Sequence, residues 1–283
     1  MVLAPQPSWV VTWELLPDDV ILDDEPVDNI NQPAIAAALT ESLVLADLLP
    51  AQALVMTNYG LCATLNGQTV VKAPDWGYVP EIRVPRDQVK RSYTPQLQGD
   101  FPAVVMEFLS DTEGGEYSNK PTYPPGKWFF YEQILRVPNY IIFEPESGLL
   151  EAYGLNDAGQ YKLSPPDAQQ RVWIAPLGLA LGVWQGTREN RTGYWLRWWN
   201  SQGELLPWGK EQVEQEHQLV EQERQLVEQE RQRAEQERQR AEQAEGQLVQ
   251  VARALLAQGM TSSQVAELAG LSVAQVEKLA AEA

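Results

Sequence analysis

Cysteine and histidine are almost absent from this chain of 283 residues. Each occurs once, as Cys62 and His217. A single cysteine cannot form an internal disulfide, which excludes a disulfide-stapled secreted scaffold. One cysteine and one histidine cannot supply the four ligands that a structural zinc site usually takes. A Ser-His-Asp or Cys-His catalytic arrangement would have to use His217.

Long apolar runs and an excess of basic residues are also missing. No run approaches the ~18–20 apolar residues that a membrane span needs, and residues 1–13 lack the basic region and apolar core of a signal peptide. We therefore expect a cytoplasmic protein with no membrane partner. The formal net charge of −18 argues against a protein that coats DNA through a general Lys/Arg surface, but it allows a DNA enzyme with a locally basic groove.

The composition changes abruptly near residue 210. All 10 Trp and all 20 Pro lie at or before Lys210. Residues 211–283 hold 14 Glu and 7 Lys or Arg, a net charge of −7, which leaves −11 for residues 1–210. We predict a folded domain over 1–210, a heptad-repeat helix over 211–247 and a small helical tail over 248–283.

The predicted helix repeats every seven residues over 218–245, as QLVEQER, QLVEQER, QRAEQER and QRAEQAE. Its second seam position would be Glu, Gln or Arg, whereas a strong coiled coil has apolar residues at both seam positions. Two interpretations stay open: a solvated single helix held by Glu/Arg pairs, and a weak coiled coil that makes a homo-oligomer through 211–247.

The tail predicts three short helices. Its stretch SSQVAELAGLSVAQVEKL resembles a helix-turn-helix pair, although a DNA-reading version needs basic or amide side chains on the second helix. Here Gln275 and Lys278 stand beside Glu277. The composition favours a small packing or docking unit.

The N-terminal domain alternates helical and strand patterns. The sequence predicts, in order, a helix over 33–48, strands over 55–65 and 68–79, a strand over 101–109, a loop over 110–126, a helix over 127–136 and a strand over 139–145. The dipeptide Asn66-Gly67 between the first two strands is a strong hairpin signal. Hairpin-like segments follow at 149–155, 160–163, 171–185 and 193–200. This order predicts an α+β, or mixed α/β, fold.

Two acidic residues stand out by position. Asp75 lies in the middle of the second predicted hairpin strand, and Glu107 lies inside the apolar strand AVVMEFL. Acids on adjacent strands, followed by Lys120, predict a site for Mg²⁺ or Mn²⁺ at which the lysine orients a water or neutralises charge. The structural alternative is that Asp75 caps a turn and Glu107 sits in an ion pair, and spacing alone favours it.

The order of these motifs changes that balance, because it resembles the Uma-type restriction endonuclease family of the PD-(D/E)XK nuclease superfamily. The resemblance covers roughly residues 30–185. It rests on Pro74-Asp75, Glu107-Phe108-Leu109-Ser110, Glu116 four residues before Lys120, and the strand NYIIFEP over 139–145. It implies a restriction-endonuclease-like core with added β-hairpins and a Mg²⁺-dependent DNA endonuclease. Asp75 and Glu107 would bind the metal, and Lys120 would complete the catalytic set.

The sequence departs from the family pattern at several positions. The usual lysine of the superfamily, two residues after the strand acid, is replaced by Leu109. Lys127 could serve instead of Lys120, and Glu116 replaces the more usual Asp. Glu41, on the first predicted helix, matches a place where these nucleases often add an acid near the metal. Its alternative is an exposed helix residue.

The densest basic stretch of the domain lies between the two acidic strands. It contains Arg83, Arg86, Lys90 and Arg91, which we predict to contact DNA phosphates. The alternative is a solvated loop. The alternative to an enzyme is a catalytically inactive nuclease-like scaffold that self-associates or recruits partners through its C-terminal helix. The tryptophans at 184–208 favour core packing over a base-stacking or sugar-binding surface.

Overall fold

A six-stranded mixed sheet forms the centre of the N-terminal unit. The computed structural model describes residues 9–22, 30–110 and 115–281, and the chain divides into a unit of Met1–Gln212 and a unit of Val213–Ala283. Residues 1–8, on which part of our signal-peptide prediction rests, and 111–114, in the predicted loop, lie outside the described residues.

The strands of the N-terminal unit follow in chain order. They are β1 (Val11–Thr12), β2 (Leu54–Met56), β3 (Leu61–Leu65), β4 (Gln68–Lys72), β5 (Trp76–Val79), β6 (Val104–Phe108), β7 (Asn139–Glu144), β8 (Leu149–Leu155), β9 (Tyr161–Leu163), β10 (Arg171–Ile174), β11 (Leu179–Arg188) and β12 (Arg191–Trp199). The central sheet has the order β2-β5-β6-β7-β8-β9, and two three-stranded sheets have the orders β1-β3-β4 and β10-β11-β12.

Strands β6 and β7 form a parallel pair, whereas the other neighbours in the central sheet are antiparallel. Two adjacent parallel strands require a crossover of a dozen or more residues. The crossover contains helix α2, an α-helical turn over Lys127–Phe129 that continues as a π-helical turn over Phe130–Ile134. Its place after β6 agrees with the predicted helix over 127–136.

The predicted long hairpin is wrong in one respect, because it is two strand pairs that belong to different sheets. The turn itself is confirmed: β3 and β4 pair around Asn66 and Gly67, both with positive φ. Beyond it, β2 pairs with β5 in the central sheet. Pro74, which has no N–H for a ladder hydrogen bond, interrupts the second segment. Asp75 therefore lies in the break before β5 and not in the middle of a strand.

Alternate side chains of β6 pack in two separate cores, one on each face of the sheet. Val104, Met106 and Phe108 pack in a cluster with α1 (Asn31–Leu45), whereas Val105 packs in a cluster with α2. Successive side chains of a strand point to opposite faces, so Glu107 shares the face of Val105 and points towards α2. The sheet thus separates the core that contains α1 from the face that carries the acid.

The predicted first helix is confirmed as α1, although it begins and ends earlier than predicted. Ile35, Leu39 and Leu43 of α1 are buried at helical spacing. The helix ends before Asp47, which has a φ of 54°. Together with the central sheet, α1 and α2 make the mixed α/β architecture that the sequence predicts.

The C-terminal part is helical, but it has one helix fewer than predicted in 248–283. Helix α3 runs continuously over Gly209–Ala257, so the first of the three predicted short helices is its end. It is followed by α4 (Ser262–Ala269) and α5 (Val273–Ala281), which pack against the last turns of α3 around Ala252, Val265 and Val276. None of the helices in the described ranges combines the length and apolarity needed to cross a bilayer.

The turn between α4 and α5 involves Gln275, one of the polar residues of the segment that resembles a helix-turn-helix pair. Gly270, with a φ of 66°, ends α4 in the left-handed conformation that glycine adopts readily. The Gln275 side-chain oxygen accepts hydrogen bonds from the backbone N–H (2.9 Å) and hydroxyl (2.8 Å) of Ser272. This amide caps α5, so it is already engaged in the fold of the tail.

Candidate active site

Glu107 is a carboxylate buried in the middle of the N-terminal unit. Its side chain is 1% exposed, although acids are almost never fully buried unless they are paired. Two side chains of α2 make that pairing. The Lys127 ammonium lies 2.9 Å from Glu107 Oε2, and the Tyr131 hydroxyl donates a hydrogen bond of 2.9 Å to Glu107 Oε1. Both oxygens of the carboxylate are thus held in place.

A second carboxylate reaches the same ammonium. Glu116 Oε1 lies 3.2 Å from Lys127 Nζ, and the Glu116 side chain is 12% exposed. The Tyr140 hydroxyl on β7 donates a hydrogen bond of 2.8 Å to the Glu116 backbone oxygen, which anchors this part of the crossover to the sheet. Oxygens from β6 and from the crossover therefore converge on one cation.

Asp75 approaches Glu107 from the break that precedes β5. Its Oδ2 accepts a hydrogen bond of 2.6 Å from the backbone N–H of Phe108, the residue after Glu107. The negative charge of Asp75 also raises the pKa of Glu107, as a nearby like charge does. The break in the chain at Pro74 thus places the second predicted acid beside the first.

Burial and charge shift the pKa values of Glu107, Lys127 and Tyr131. Burial raises the pKa of Glu107 to about 8, against the lowering effect of Lys127. Burial acts to lower the pKa of Lys127, but Glu107 and Glu116 outweigh it, and the pKa of the ammonium is raised. Burial, followed by the charge of Glu107, raises the pKa of Tyr131 well above its ordinary value. Lys127 and Tyr131 therefore keep their protons.

Local sequence explains why α2 points two side chains at one carboxylate. Lys127 and Tyr131 are four residues apart, so they lie on one face of a helix. Gly126 precedes the helix at a close crossing, where an added Cβ would lie 1.9 Å from the Ser118 backbone oxygen. The Gly126 N–H donates a hydrogen bond of 3.0 Å to the Lys120 backbone oxygen. Only glycine lets the crossover fold back and start α2 beside β6.

Comparison with known protein families matches residues 12–189 to the Uma2 family, described as "Putative restriction endonuclease". This match covers more than half of the chain. The chain belongs to the Uma2 family. The resemblance and the restriction-endonuclease-like fold inferred from the motif order are thereby confirmed. A comparison with curated proteins gives no match.

The two lysines that the sequence left as candidates occupy different positions in this Uma2 chain. Lys127 contacts Glu107 directly. Lys120 lies in the crossover before α2, and its charge acts on Lys72 of β4, whereas the charges that shift the pKa of Glu107 are those of Lys127 and Asp75. The fold thus brings Lys127, which we predicted as an accessory residue, to the acid.

Glu41 is placed among other partners. It forms an ion pair with Arg188 on β11, and its Oε1 accepts a hydrogen bond of 3.2 Å from the Gly209 backbone N–H at the start of α3. These contacts join α1 to the last hairpin and to the first turn of α3. They differ from the exposed position and from the accessory metal position that the sequence left open.

The predicted DNA-contact residues divide into two pairs. Arg83 forms an ion pair with Asp100, and Arg91 donates a hydrogen bond of 2.8 Å to the Pro17 backbone oxygen. Both side chains therefore hold the connection between β5 and β6 in place. Arg86 and Lys90 are exposed around a short 3₁₀ turn over Arg86–Gln88.

The tryptophans near the end of the N-terminal unit pack inside it. Trp195, Trp198 and Trp208 are each at most 3% exposed. The buried guanidinium of Arg197 lies 3.5 Å from the Trp208 ring centroid and pairs with Glu211. This arrangement agrees with core packing, and it fixes the first turn of α3 against β12.

The donor set around Glu107 fits a hydrated hard cation. Among the described residues no group of three or more His, Cys, Asp or Glu could enclose a metal ion. Mg²⁺, however, usually takes only one or two carboxylates and keeps several waters. Asp75, in the break before β5, and Glu107, on β6, supply two carboxylates. The Glu107 and Glu116 oxygens already converge on a cation, the Lys127 ammonium. The oxygen ligands therefore suit Mg²⁺ or Mn²⁺.

Tyr131 was not among the predicted site residues, because tyrosines in apolar helices are common. The signal was its spacing from Lys127. Once a helix over 127–136 is predicted, a hydrogen-bond donor one turn after a candidate lysine shares its face. That geometry identifies Tyr131 as a third group directed at Glu107.

Proposed function

We propose that this protein is a Mg²⁺-dependent DNA endonuclease whose active site is built on Asp75, Glu107 and Lys127. Membership of a family of restriction endonucleases supports the reaction class. The observation that carries the assignment is the burial of Glu107 between Lys127 and Tyr131, next to Asp75. A fold does not need a buried acid at this position for stability, because a buried ion pair is often no better than apolar packing.

Each residue would have a defined role in hydrolysis. Asp75 and Glu107 would hold the cation, and Tyr131 would fix the orientation of the Glu107 carboxylate. A bound Mg²⁺ would polarise the scissile phosphate and help an attacking water to ionise. Lys127, protonated because of its carboxylate neighbours, would donate hydrogen bonds to the water or to the charge that develops on the phosphate.

The reaction is an ordinary hydrolysis of a phosphodiester. The oxygen of water forms a bond to phosphorus, the bond from phosphorus to one sugar oxygen breaks, and the products are a phosphate monoester and an alcohol. Lys120, which we first predicted as the catalytic lysine, would remain in the crossover near the substrate. We assign the direct role to Lys127 because it contacts Glu107.

Metal dependence tests this proposal in the unaltered protein. We expect the purified chain to nick or linearise supercoiled plasmid DNA in Mg²⁺ or Mn²⁺ and to lose that activity in EDTA. The measurement is the rate of strand cleavage on agarose gels at matched ionic strength. An absence of cleavage in both metals, or cleavage that persists unchanged in EDTA, would contradict the proposed function.

We further propose that α3 supports self-association, the second of the functions that the sequence left open. Val213, Val220 and Val227 recur every seven residues, and each is more than half exposed. Ala234 and Ala241 continue the stripe. Elsewhere on the helix, Gln225, Gln232 and Gln239 donate hydrogen bonds to glutamates one turn earlier. An exposed seven-residue apolar repeat favours pairing with another helix, here of a second copy.

Paired substitutions on opposite faces of α3 test self-association. Val220→Glu with Val227→Glu should shift the chain from oligomer to monomer in sedimentation velocity, because it puts two charges into the stripe. Gln222→Glu with Gln229→Glu adds the same charge about 200° around the helix and should leave the oligomer intact. A wild-type chain that sediments as a monomer at tens of micromolar would contradict this second proposal and leave the nuclease assignment untouched.

A further inference from the structure

Lys72 is a second lysine that the fold directs towards the Glu107 site. It is the last residue of β4, and alternation places it on the same face as Val70. Val70 is buried in the cluster that contains Tyr131, whose hydroxyl binds Glu107. Lys72 itself is half-buried. The β3–β4 hairpin thus brings a lysine to the face that carries the acid, three residues before Asp75.

The surroundings of Lys72 are mainly unfavourable to its charge. Burial lowers the pKa of Lys72, the charges of Lys127 and Lys120 lower it further, and the charge of Glu107 acts in the opposite direction. Lys127 by contrast has two carboxylate partners. Within the described ranges no carboxylate oxygen lies within 4.0 Å of the Lys72 ammonium. A charge that is partly removed from water without a partner is costly, so an anionic ligand would relieve the cost.

The substrate of the proposed reaction supplies such an anion. A nuclease must hold a phosphate beside its carboxylates, and in a domain of net charge −11 the attraction has to be local. Lysine binds phosphate as a compact point charge. Lys127 is already paired with two carboxylates, whereas Lys72 forms no ion pair with any carboxylate of the described residues.

We infer, on the basis of the proposed nuclease function, that Lys72 is a substrate-binding residue that contacts a non-bridging oxygen of the DNA phosphate next to Glu107. The hairpin β3–β4 then has a function of its own: it carries a phosphate-binding lysine to the edge of the active site. The Glu107 carboxylate takes its hydrogen bonds from Lys127 and Tyr131, so we assign Lys72 to the DNA and not to the metal.

Substitution at Lys72 tests this role by two measurements. Binding of a fluorescent duplex is measured by anisotropy in Ca²⁺ at several salt concentrations, and cleavage is measured in Mg²⁺. For Lys72→Met and Lys72→Gln we expect the slope of log K against log salt to fall by about 0.9, the loss of one phosphate contact, and kcat/KM to fall roughly 10- to 100-fold. Lys72→Arg should restore most of the binding.

Lys162 supplies the matched control, because it is an exposed lysine on β9 of the same unit. Lys162→Met should change neither the salt slope nor the cleavage rate, and unfolding temperatures confirm that each variant is folded. If the wild type cleaves and both Lys72→Met and Lys72→Gln keep its slope and rate, the role of Lys72 is refuted and the nuclease assignment stands. If the wild type neither binds nor cleaves DNA, the nuclease assignment fails and this inference fails with it.

Discussion

Glu107→Gln is expected to reduce Mg²⁺-dependent DNA cleavage by roughly a thousandfold while leaving the chain folded. Glutamine keeps the shape of the side chain and can still accept the Tyr131 hydrogen bond, but it removes the charge that would hold the cation. A metal ion supplies several kcal/mol of charge stabilisation, and about 4 kcal/mol corresponds to a factor of roughly 10³. The measurement is single-turnover cleavage of a plasmid at saturating protein.

Glu132 is the matched control for this variant. It is also a buried glutamate of the N-terminal unit, and its Oε1 accepts a hydrogen bond of 2.6 Å from the Tyr161 backbone N–H. Glu132→Gln keeps an acceptor oxygen and should leave the rate within a few-fold of the wild type. A Glu107→Gln variant that cleaves as fast as Glu132→Gln would remove Glu107 from the active site.

Lys127→Met is expected to destabilise the N-terminal unit, and the loss of stability should grow with pH. The change leaves Glu107 buried without its cation, which costs about 3–5 kcal/mol when the carboxylate is charged. The folded-state pKa of Glu107 is raised from 4.5 to about 8. This group therefore contributes most stability at low pH, and the contribution is lost as the pH rises from the unfolded-state pKa to the folded-state pKa. Without Lys127 the loss continues above pH 8.

Urea unfolding in EDTA measures this effect, and all 10 Trp lie in residues 1–210, so tryptophan fluorescence reports on the N-terminal unit alone. We expect a small difference between wild type and Lys127→Met at pH 6 and the full difference at pH 9.5. Adding Glu107→Gln to Lys127→Met should restore stability at pH 9.5 and abolish the pH dependence. Equal destabilisation at both pH values would show that Glu107 is not the group left unpaired.

The strand pattern and the hairpin turn could be predicted because they depend on local chemistry. Asn66-Gly67 supplies the two positive φ angles of the turn, and the apolar alternation of 104–108 predicts β6. The splitting of the hairpin into two sheets could not be predicted in the same way. The splitting depends on which strand pairs with each half of the predicted hairpin. Only the pairing of β2 with β5, and of β3 with β4, shows that Pro74 separates two sheets.

The candidate acids were visible in the sequence for a related reason. A glutamate inside an apolar strand violates the local pattern, and so does an aspartate after a proline between strands. Such violations often mark functional positions. The local pattern therefore singles out the two acids, whereas their assignment to a metal site depended on the order of the motifs over residues 30–185.

The lysine and tyrosine that accompany the acids were harder to identify. Lys120 and Lys127 both follow the strand acid. The proline-rich segment between them has neither a helical nor a strand periodicity, so the sequence does not predict which lysine side chain points towards Glu107. The choice depends on Gly126, whose close contact with Ser118 turns the chain so that α2 starts beside β6. Tyr131 and Lys72 are ordinary residues in their own segments, and only the pairing of distant segments brings them to Glu107.

Crystals of the full-length chain soaked in Mn²⁺ would test the central claim most directly, because Mn²⁺ can be located by anomalous scattering. We predict a single strong peak in the N-terminal unit, with carboxylate oxygens of both Asp75 and Glu107 about 2 Å from the ion. The Lys127 ammonium should lie on the same side of the sheet. A peak that contacts neither carboxylate, or none at saturating Mn²⁺ and a pH above 8, would contradict the account.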